Sequence, residues 1–130
     1  MTVAVTAGRR SVLASVVGRP VAVPADLLTR YPELAAVRLR RGGLPPRVGG
    51  LCLGMRSVAG ITLWGTVFVG AGVNPSAALL LHELRHVQQF QADPLFPLRY
   101  VWETVWRGYG QNRYELDAVS YAQSHLRRES

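Results

Sequence analysis

The sequence predicts a small α+β domain in which a mostly antiparallel sheet packs against about three helices. Segments rich in β-branched and aromatic residues occupy the middle of the chain, and helical patterns follow them to the end. Strands followed by a run of helices are typical of α+β folds. At 130 residues the chain can build one hydrophobic core but not two. We therefore expect a single domain at residues 24–130, preceded by an N-terminal segment at residues 1–23.

The first half of the chain supplies a short helix and several short strands. Pro24 and the apolar pattern after it indicate a helix that is interrupted or ends near Pro32. Val37–Arg41 alternates apolar and basic residues and is predicted to be a strand. Leu51–Met55 and Ile61–Val69 are predicted to be further strands, because β-branched and aromatic residues favour extended backbone.

Three helices are predicted in the second half of the chain. The first runs from Pro75 to about Ala92, with Asn74 as its N-terminal cap. The second spans about Leu98–Arg107, and the third spans about Arg113–Arg127.

The formal net charge is +7, and all fifteen basic residues are arginine. They are scattered, apart from a basic loop at Arg38–Arg47 around a Gly/Pro-rich bend. A basic chain can bind nucleic acid or anionic lipid, but no nucleic-acid-binding motif and no cluster of aromatic residues accompanies these arginines. The sequence therefore argues against nucleic acid as the main partner. No apolar run reaches the roughly 18 residues of a transmembrane helix.

The single cysteine, Cys52, excludes an intramolecular disulfide and fits a reducing, cytoplasmic compartment. We interpret it as a buried, inert thiol, because no histidine lies near it in the sequence. The alternative localisation is export, since Arg9-Arg10 precedes a short apolar stretch at Val12–Val17.

Two histidines lie one helical turn apart in the apolar segment LLLHELRHVQQF. Residues four apart on a helix share a face, so His82 and His86 can offer two imidazole nitrogens to one cation. Glu83 would lie beside the metal and act as a general base, as in H-E-x-x-H metalloproteases. Leu80 and Leu84 form a separate stripe that can bury the helix. We therefore interpret the motif as a zinc site rather than as two core histidines bonded to backbone carbonyls.

A catalytic zinc needs a third protein ligand and an open coordination position. A third histidine at the usual short spacing is absent, because Ala92 stands there. Glu115 is the best candidate, since it shares a helix face with Ala118 and Ala122, which permit close approach to the histidine helix. Asn112 and Glu115 also have capping-box spacing, in which Glu115 would cap its own helix. The rival ligands are Glu103, Asp117 and His125.

The segments ITLWGTVFV, LLLHELRHVQQF and NRYELDA resemble the zincin metallopeptidases, and more narrowly the glutamate-zincins, which combine H-E-x-x-H with a downstream glutamate. They are similar to small bacterial domains with a T-x-G-x-x-I type strand, an H-E-x-x-H-x-x-Q helix and a later E-x-x-A. Among these is the metallopeptidase-like core domain found with extracellular contractile injection systems. The resemblance covers roughly residues 37–122.

The resemblance implies that Zn²⁺ is bound by His82, His86 and Glu115, and that Glu83 is the catalytic base of a peptide hydrolase. It also implies that Ile61–Val69 is an edge strand along which an extended peptide lies. The residues expected to contact that peptide are Ile61, Thr62, Leu63 and Trp64.

The chain departs from the family pattern at three places. Arg85 puts a charge between the histidines, Val119 stands where the glutamate-zincins have an aspartate, and Trp64-Gly65 comes one step later than expected. The group that orients a ligating histidine is therefore open, with Gln89, Asn112 and Asp117 as candidates. Candidate donors to the transition-state oxyanion are Tyr109, Arg113, Tyr114 and Tyr121.

The predicted function is zinc-dependent hydrolysis of a peptide or protein substrate. The alternative is a catalytically weak or inactive zincin-like module that binds a partner protein through the basic loop. Glu83→Gln separates the two, because it should retain zinc but abolish turnover. The sequence predicts neither the substrate nor the oligomeric state.

Overall fold

The structure is a computed structural model that describes residues 16–45 and 60–127. It confirms the predicted α+β class, with a four-stranded sheet and four α-helices among the described residues. The strands are β1 (Arg19–Val21), β2 (Arg38–Arg41), β3 (Gly60–Leu63) and β4 (Thr66–Val69). The helices are α1 (Ala25–Arg30), α2 (Ala77–Ala92), α3 (Phe96–Arg107) and α4 (Arg113–Arg127), with short 3₁₀ helices at Pro32–Ala36 and Tyr109–Gln111. The predicted strand at Leu51–Met55, including Cys52, lies outside the described residues.

The sheet has the strand order β1-β2-β4-β3. β1 with β2 and β3 with β4 are antiparallel pairs, while β2 and β4 run parallel, so the sheet is mostly antiparallel as predicted. Within the described ranges β3 pairs with β4 alone and therefore lies at one edge of the sheet.

The prediction of one continuous strand over Ile61–Val69 is wrong. The segment is a hairpin whose two strands, β3 and β4, are joined by a turn at Trp64-Gly65. Trp64 has a positive φ of 53°, a conformation that bulky residues seldom adopt. The turn was not predicted because two-residue hairpin turns usually contain Asn-Gly or Asp-Gly. The Trp-Gly pair instead continues the strand-like pattern of the sequence.

The helix starts follow from local capping. The prediction that α2 begins at Pro75 with Asn74 as its cap is wrong. The cap is Ser76, whose Oγ accepts a 3.1 Å hydrogen bond from the backbone N–H of Leu79. Serine and asparagine are comparable caps, so the sequence alone could not separate them. α4 has the predicted bounds, and Asn112 Oδ1 accepts a 2.9 Å hydrogen bond from the N–H of Tyr114 at its start.

The hydrophobic core lies between the sheet and α2. Leu80 and Leu84 are buried, as the predicted stripe required, and they pack in one cluster with Leu34, Val67 and Val69. Burial of such side chains stabilises the fold by roughly 1.5–3 kcal/mol each. This packing fixes α2 on the sheet and leaves a different face of the helix for the histidines.

Helix α4 packs closely against α2. Ala118 is fully buried and Ala122 is only 5% exposed, so small side chains on α4 face the histidine helix as predicted. Short side chains at a helix contact allow the two backbones to approach, which brings the first turn of α4 towards α2.

The first strand lies within residues 1–23, the segment that was predicted to precede the domain. β1 pairs with β2, and the Arg40 side chain on β2 donates hydrogen bonds to the carbonyls of Val17 at 2.6 Å and Gly18 at 3.2 Å. Arg41 donates in the same way to the carbonyls of Ala71 and Val73. These two arginines of the basic loop therefore hold backbone segments of the chain itself. Among the described residues, no helix is both long enough and apolar enough to cross a bilayer.

Candidate metal centre

His82 and His86 point to one place beside the first turn of α4. Their ring centroids are 4.9 Å apart, and both Nε2 atoms meet the carboxylate of Glu115. His82 Nε2 lies 2.9 Å from Glu115 Oε2, and His86 Nε2 lies 3.1 Å from Oε1. One ligand atom from each of the three residues lies within 4.8 Å of the others. The i, i+4 spacing on α2 and the close approach of α4 produce this convergence.

Glu115 faces the histidines instead of capping its own helix. Asn112 provides the side-chain cap of α4, and Glu115 is largely buried against α2. Burial alone would raise the pKa of Glu115, but hydrogen bonds from His82 and His86 hold it well below its ordinary value. Glu115 is therefore an ionised carboxylate between two imidazoles.

The rival ligands contact other residues, away from the two histidines. Glu103 pairs with Arg107 at 3.2 Å and with Arg113 at 3.6 Å. His125 lies 3.7 Å from Glu33. Asp117 forms a 2.7 Å ion pair with Arg85. The Arg85 side chain, which lies between the two histidines in the sequence, therefore links α2 to α4 and does not face the cluster.

Gln89 orients His86. Its Oε1 lies 2.7 Å from His86 Nδ1, while its Nε2 donates to the Tyr114 carbonyl at 3.1 Å and to Asp117 Oδ2 at 2.9 Å. The amide nitrogen of Gln89 faces these two acceptors, so it is the amide oxygen that faces His86. Because an amide oxygen only accepts hydrogen bonds, Nδ1 of His86 must carry a proton. With that proton on Nδ1, a neutral His86 would have its lone pair on Nε2 and could offer it to a cation, whereas without a cation Nε2 donates to Glu115. Among the proposed orienting residues, Gln89 acts directly, Asp117 supports it, and Asn112 caps α4 instead.

The donor set fits zinc. Catalytic zinc sites include ones in which two imidazoles and one carboxylate bind the metal and one coordination position is left for water or substrate. Burial alone would lower the pKa of His86, but the hydrogen bond that it donates to Glu115 and the charges of Glu83 and Glu115 outweigh burial, so the pKa of His86 is raised. A metal ion binds only the neutral imidazole. A cation at this place would therefore replace the proton that the imidazole and the carboxylate share.

Glu83 lies beside this cluster, on the side that faces β3. Its side chain is buried, and Thr62 Oγ1 donates a 2.7 Å hydrogen bond to its Oε2. Burial raises the pKa of Glu83, while the charge of His86 and the Thr62 hydrogen bond oppose that shift. A Cβ at Gly60 would lie 3.4 Å from Glu83 Oε1 and 3.2 Å from Leu79 Cδ1. Glycine therefore lets the backbone of β3 approach the carboxylate closely.

Two tyrosines complete the surroundings of Glu115. The hydroxyl of Tyr100, on α3, donates a 2.6 Å hydrogen bond to Glu115 Oε1. Burial and Glu115 raise the pKa of Tyr100, and burial with the charges of Glu115 and Glu83 raises the pKa of Tyr109 to about 12. Both phenols therefore stay protonated and remain hydrogen-bond donors. Tyr100 was not predicted from the sequence as a site residue, although helical spacing places it with Thr104 on one face of α3.

The other candidate donors have different partners. The Tyr114 ring packs edge-on against Phe96, with centroids 5.0 Å apart, and only its backbone carbonyl reaches Gln89. Tyr121 stacks on His125 at 4.0 Å. Arg113 belongs to the Glu103 ion pairs.

No protein-family model, curated protein or solved structure matches the chain, so the chemistry of the site rests on its own residues.

Proposed function

We propose that the chain is a zinc-dependent metallopeptidase in which His82, His86 and Glu115 bind the metal and Glu83 is the general base. The observation that carries the proposal is the convergence of these two imidazoles and the carboxylate beside a second, buried glutamate. Zinc in such a site polarises a peptide carbonyl and makes water acidic enough to be deprotonated near neutral pH.

Glu83 accepts the proton of the attacking water and later delivers it to the leaving amine. Two features suit it to that role. The Thr62 hydroxyl fixes one carboxylate oxygen, and burial raises the pKa of Glu83 towards the pH at which it works. A base whose pKa approaches the working pH both takes and returns a proton efficiently.

The edge strand β3 is the proposed binding site for the peptide backbone. An extended peptide can add to an exposed sheet edge through main-chain hydrogen bonds, irrespective of its sequence. Thr62 connects this strand to Glu83, so a peptide along β3 would pass beside the base. At the end of the strand, Leu63 and Trp64 are 36% and 67% exposed and offer apolar surface to substrate side chains. Tyr109, held in its protonated form, is the proposed donor to the oxyanion.

Hydrolysis of an unstructured protein such as casein by the zinc-loaded chain tests this proposal. Glu83→Gln should retain zinc and lower turnover by roughly 10²–10⁴-fold, the usual contribution of a general base. Glu33→Gln is the matched control, because Glu33 pairs with His125 away from the cluster, and it should leave turnover unchanged. Equal turnover by the Glu83→Gln variant would disprove the role of Glu83.

The alternative, an inactive module that binds a partner through the basic loop, has less support. Arg40 and Arg41 donate hydrogen bonds to carbonyls of the chain itself, so fewer of their N–H groups are free to bind a partner.

A further inference from the structure

The outer face of α3 carries an apolar stripe that is exposed to solvent. Its exposed fractions run from 59% at Val101 to 76% at Val105. Because the positions follow the i, i+3, i+4, i+7, i+8 pattern, they line one side of the helix. The members of the stripe are Leu98, Val101, Trp102, Val105 and Trp106.

The opposite face of α3 is already engaged inside the protein. Phe96 is buried, Tyr100 donates to Glu115, and Thr104 accepts a 2.9 Å hydrogen bond from Asn112. The stripe is therefore additional apolar surface and not a misplaced part of the core.

The two tryptophans of the stripe make its exposure unusual. Trp102 and Trp106 are 65% and 71% exposed, and their rings stack with centroids 6.0 Å apart and planes 8° from parallel. Tryptophan is highly buried on average in folded proteins, so a stacked, exposed pair indicates a surface that another phase or molecule covers.

Three arginines on α3 and at the start of α4 expose more of their side chains than their acidic partners do. The side chains of Arg99, Arg107 and Arg113 are 58%, 39% and 66% exposed. Their acidic partners are less exposed, at 32% for Asp93 and 16% for Glu103. The exposed charges on α3 and at the start of α4 are therefore mainly cationic, and the whole chain has a formal net charge of +7.

We propose that the outer face of α3 docks on an anionic lipid surface. Tryptophan prefers the boundary between headgroups and acyl chains, and arginine binds lipid phosphates. With 12 residues, α3 is about 18 Å long, shorter than the roughly 30 Å hydrocarbon core of a bilayer. It would lie in the plane of the interface with its apolar stripe immersed, as surface-bound amphipathic helices do.

A second copy of the chain is a poorer occupant. A helix about 18 Å long and about 10 Å wide covers about 200 Å² of a partner, well below the roughly 800 Å² that each partner buries in a standard interface. Two copies, each with a formal charge of +7, would also repel one another.

Vesicle co-sedimentation tests the proposal with the intact chain. The chain should bind vesicles of phosphatidylglycerol and phosphatidylcholine at least tenfold more tightly than vesicles of phosphatidylcholine alone, and salt should weaken that binding. Leu98→Ser with Val105→Ser should weaken binding at least tenfold, because binding scales with the apolar area inserted. The matched control is Leu116→Ser with Val119→Ser, which changes the same residue types at exposed positions on α4 and should leave binding unchanged.

Intrinsic fluorescence adds a readout of the docking face. The chain has three tryptophans, so Trp64→Phe leaves only the pair on α3 as reporters. Their emission should shift to shorter wavelength when anionic vesicles are added. Binding by the Glu83→Gln variant should equal that of the unaltered chain, so this test is independent of the proposed peptidase activity.

Four results would overturn the proposal: no binding to anionic vesicles, equal binding to both vesicle types, full binding by the α3 variant, or an equal loss in the α4 control. Self-association that is lost in the α3 variant, without vesicle binding, would instead assign the stripe to a second copy.

Discussion

The hydroxyl of Thr62 donates a 2.7 Å hydrogen bond to Oε2 of Glu83, and this contact joins β3 to the helix that carries both histidines. The same hydroxyl lies 3.2 Å from the Glu83 carbonyl. A buried carboxylate that loses its donor pays an uncompensated desolvation cost. The hydrogen bond between Thr62 and Glu83 therefore affects both the stability with which the β3–β4 hairpin packs on α2 and the orientation of Glu83, the proposed base.

Thr62→Val should lower the free energy of unfolding by about 1–3 kcal/mol, because the isosteric side chain leaves the buried Glu83 without its donor. Urea denaturation measures the change. Thr66→Val on the neighbouring strand is the control and should cost less, since Thr66 is only partly buried. Equal losses in the two variants would mean that the contact with Glu83 contributes nothing of its own.

Ala118→Leu should lower stability by about 1–3 kcal/mol and weaken zinc binding, because a larger side chain forces α4 away from α2 and moves Glu115 from the histidines. Ala118 is fully buried, whereas Val119 is 42% exposed, so Val119→Leu is the matched control. Denaturation and zinc titration check the two variants side by side. A normal zinc affinity in Ala118→Leu would show that close helix packing does not set the position of Glu115.

Much of the candidate site could be predicted because it depends on local geometry. The positions of His82 and His86 on one face follow from their spacing and the apolar stripe beside them. The small residues after Glu115 indicated which face of α4 meets α2, and the bounds of α4 followed from its flanking residues.

The partners of the two glutamates could not be predicted, because they come from distant parts of the chain. Thr62 is 21 residues from Glu83, and Tyr100 is 15 residues from Glu115. Such contacts are set by tertiary packing, for which a single sequence carries no periodic signal. The turn at Trp64-Gly65 was missed for a different reason, since its residues favour continued strand.

Arg40→Met should lower the free energy of unfolding by about 1 kcal/mol, because the guanidinium no longer bonds the carbonyls of Val17 and Gly18. The value is at the low end for a charged donor since part of the contact is exposed to solvent. Arg38→Met, an exposed position on the same strand, should change stability by less than about 0.5 kcal/mol. If Arg40→Met is as stable as the unaltered chain, β1 is held by its strand pairing alone.

Removal of metal should destabilise the fold. A ligand that binds only the native state, at a free concentration 100 times its Kd, stabilises it by about 2.7 kcal/mol. A chelator should therefore lower the melting temperature of the zinc-loaded chain by several degrees. The same chelator should leave the His82→Ala variant unchanged, and an equal shift in both would trace the effect to another site or to the chelator itself.

The metal content of the purified chain tests the central claim most directly. Elemental analysis after purification without chelator should find about one zinc per chain, because the two imidazoles and the carboxylate form one site. His82→Ala, His86→Ala and Glu115→Ala should each lose most of that zinc. His125→Ala should retain it, since His125 lies beside Glu33 and Tyr121 instead. Full zinc content in the His82→Ala variant, or no zinc in the unaltered chain even after zinc is added, would contradict the account.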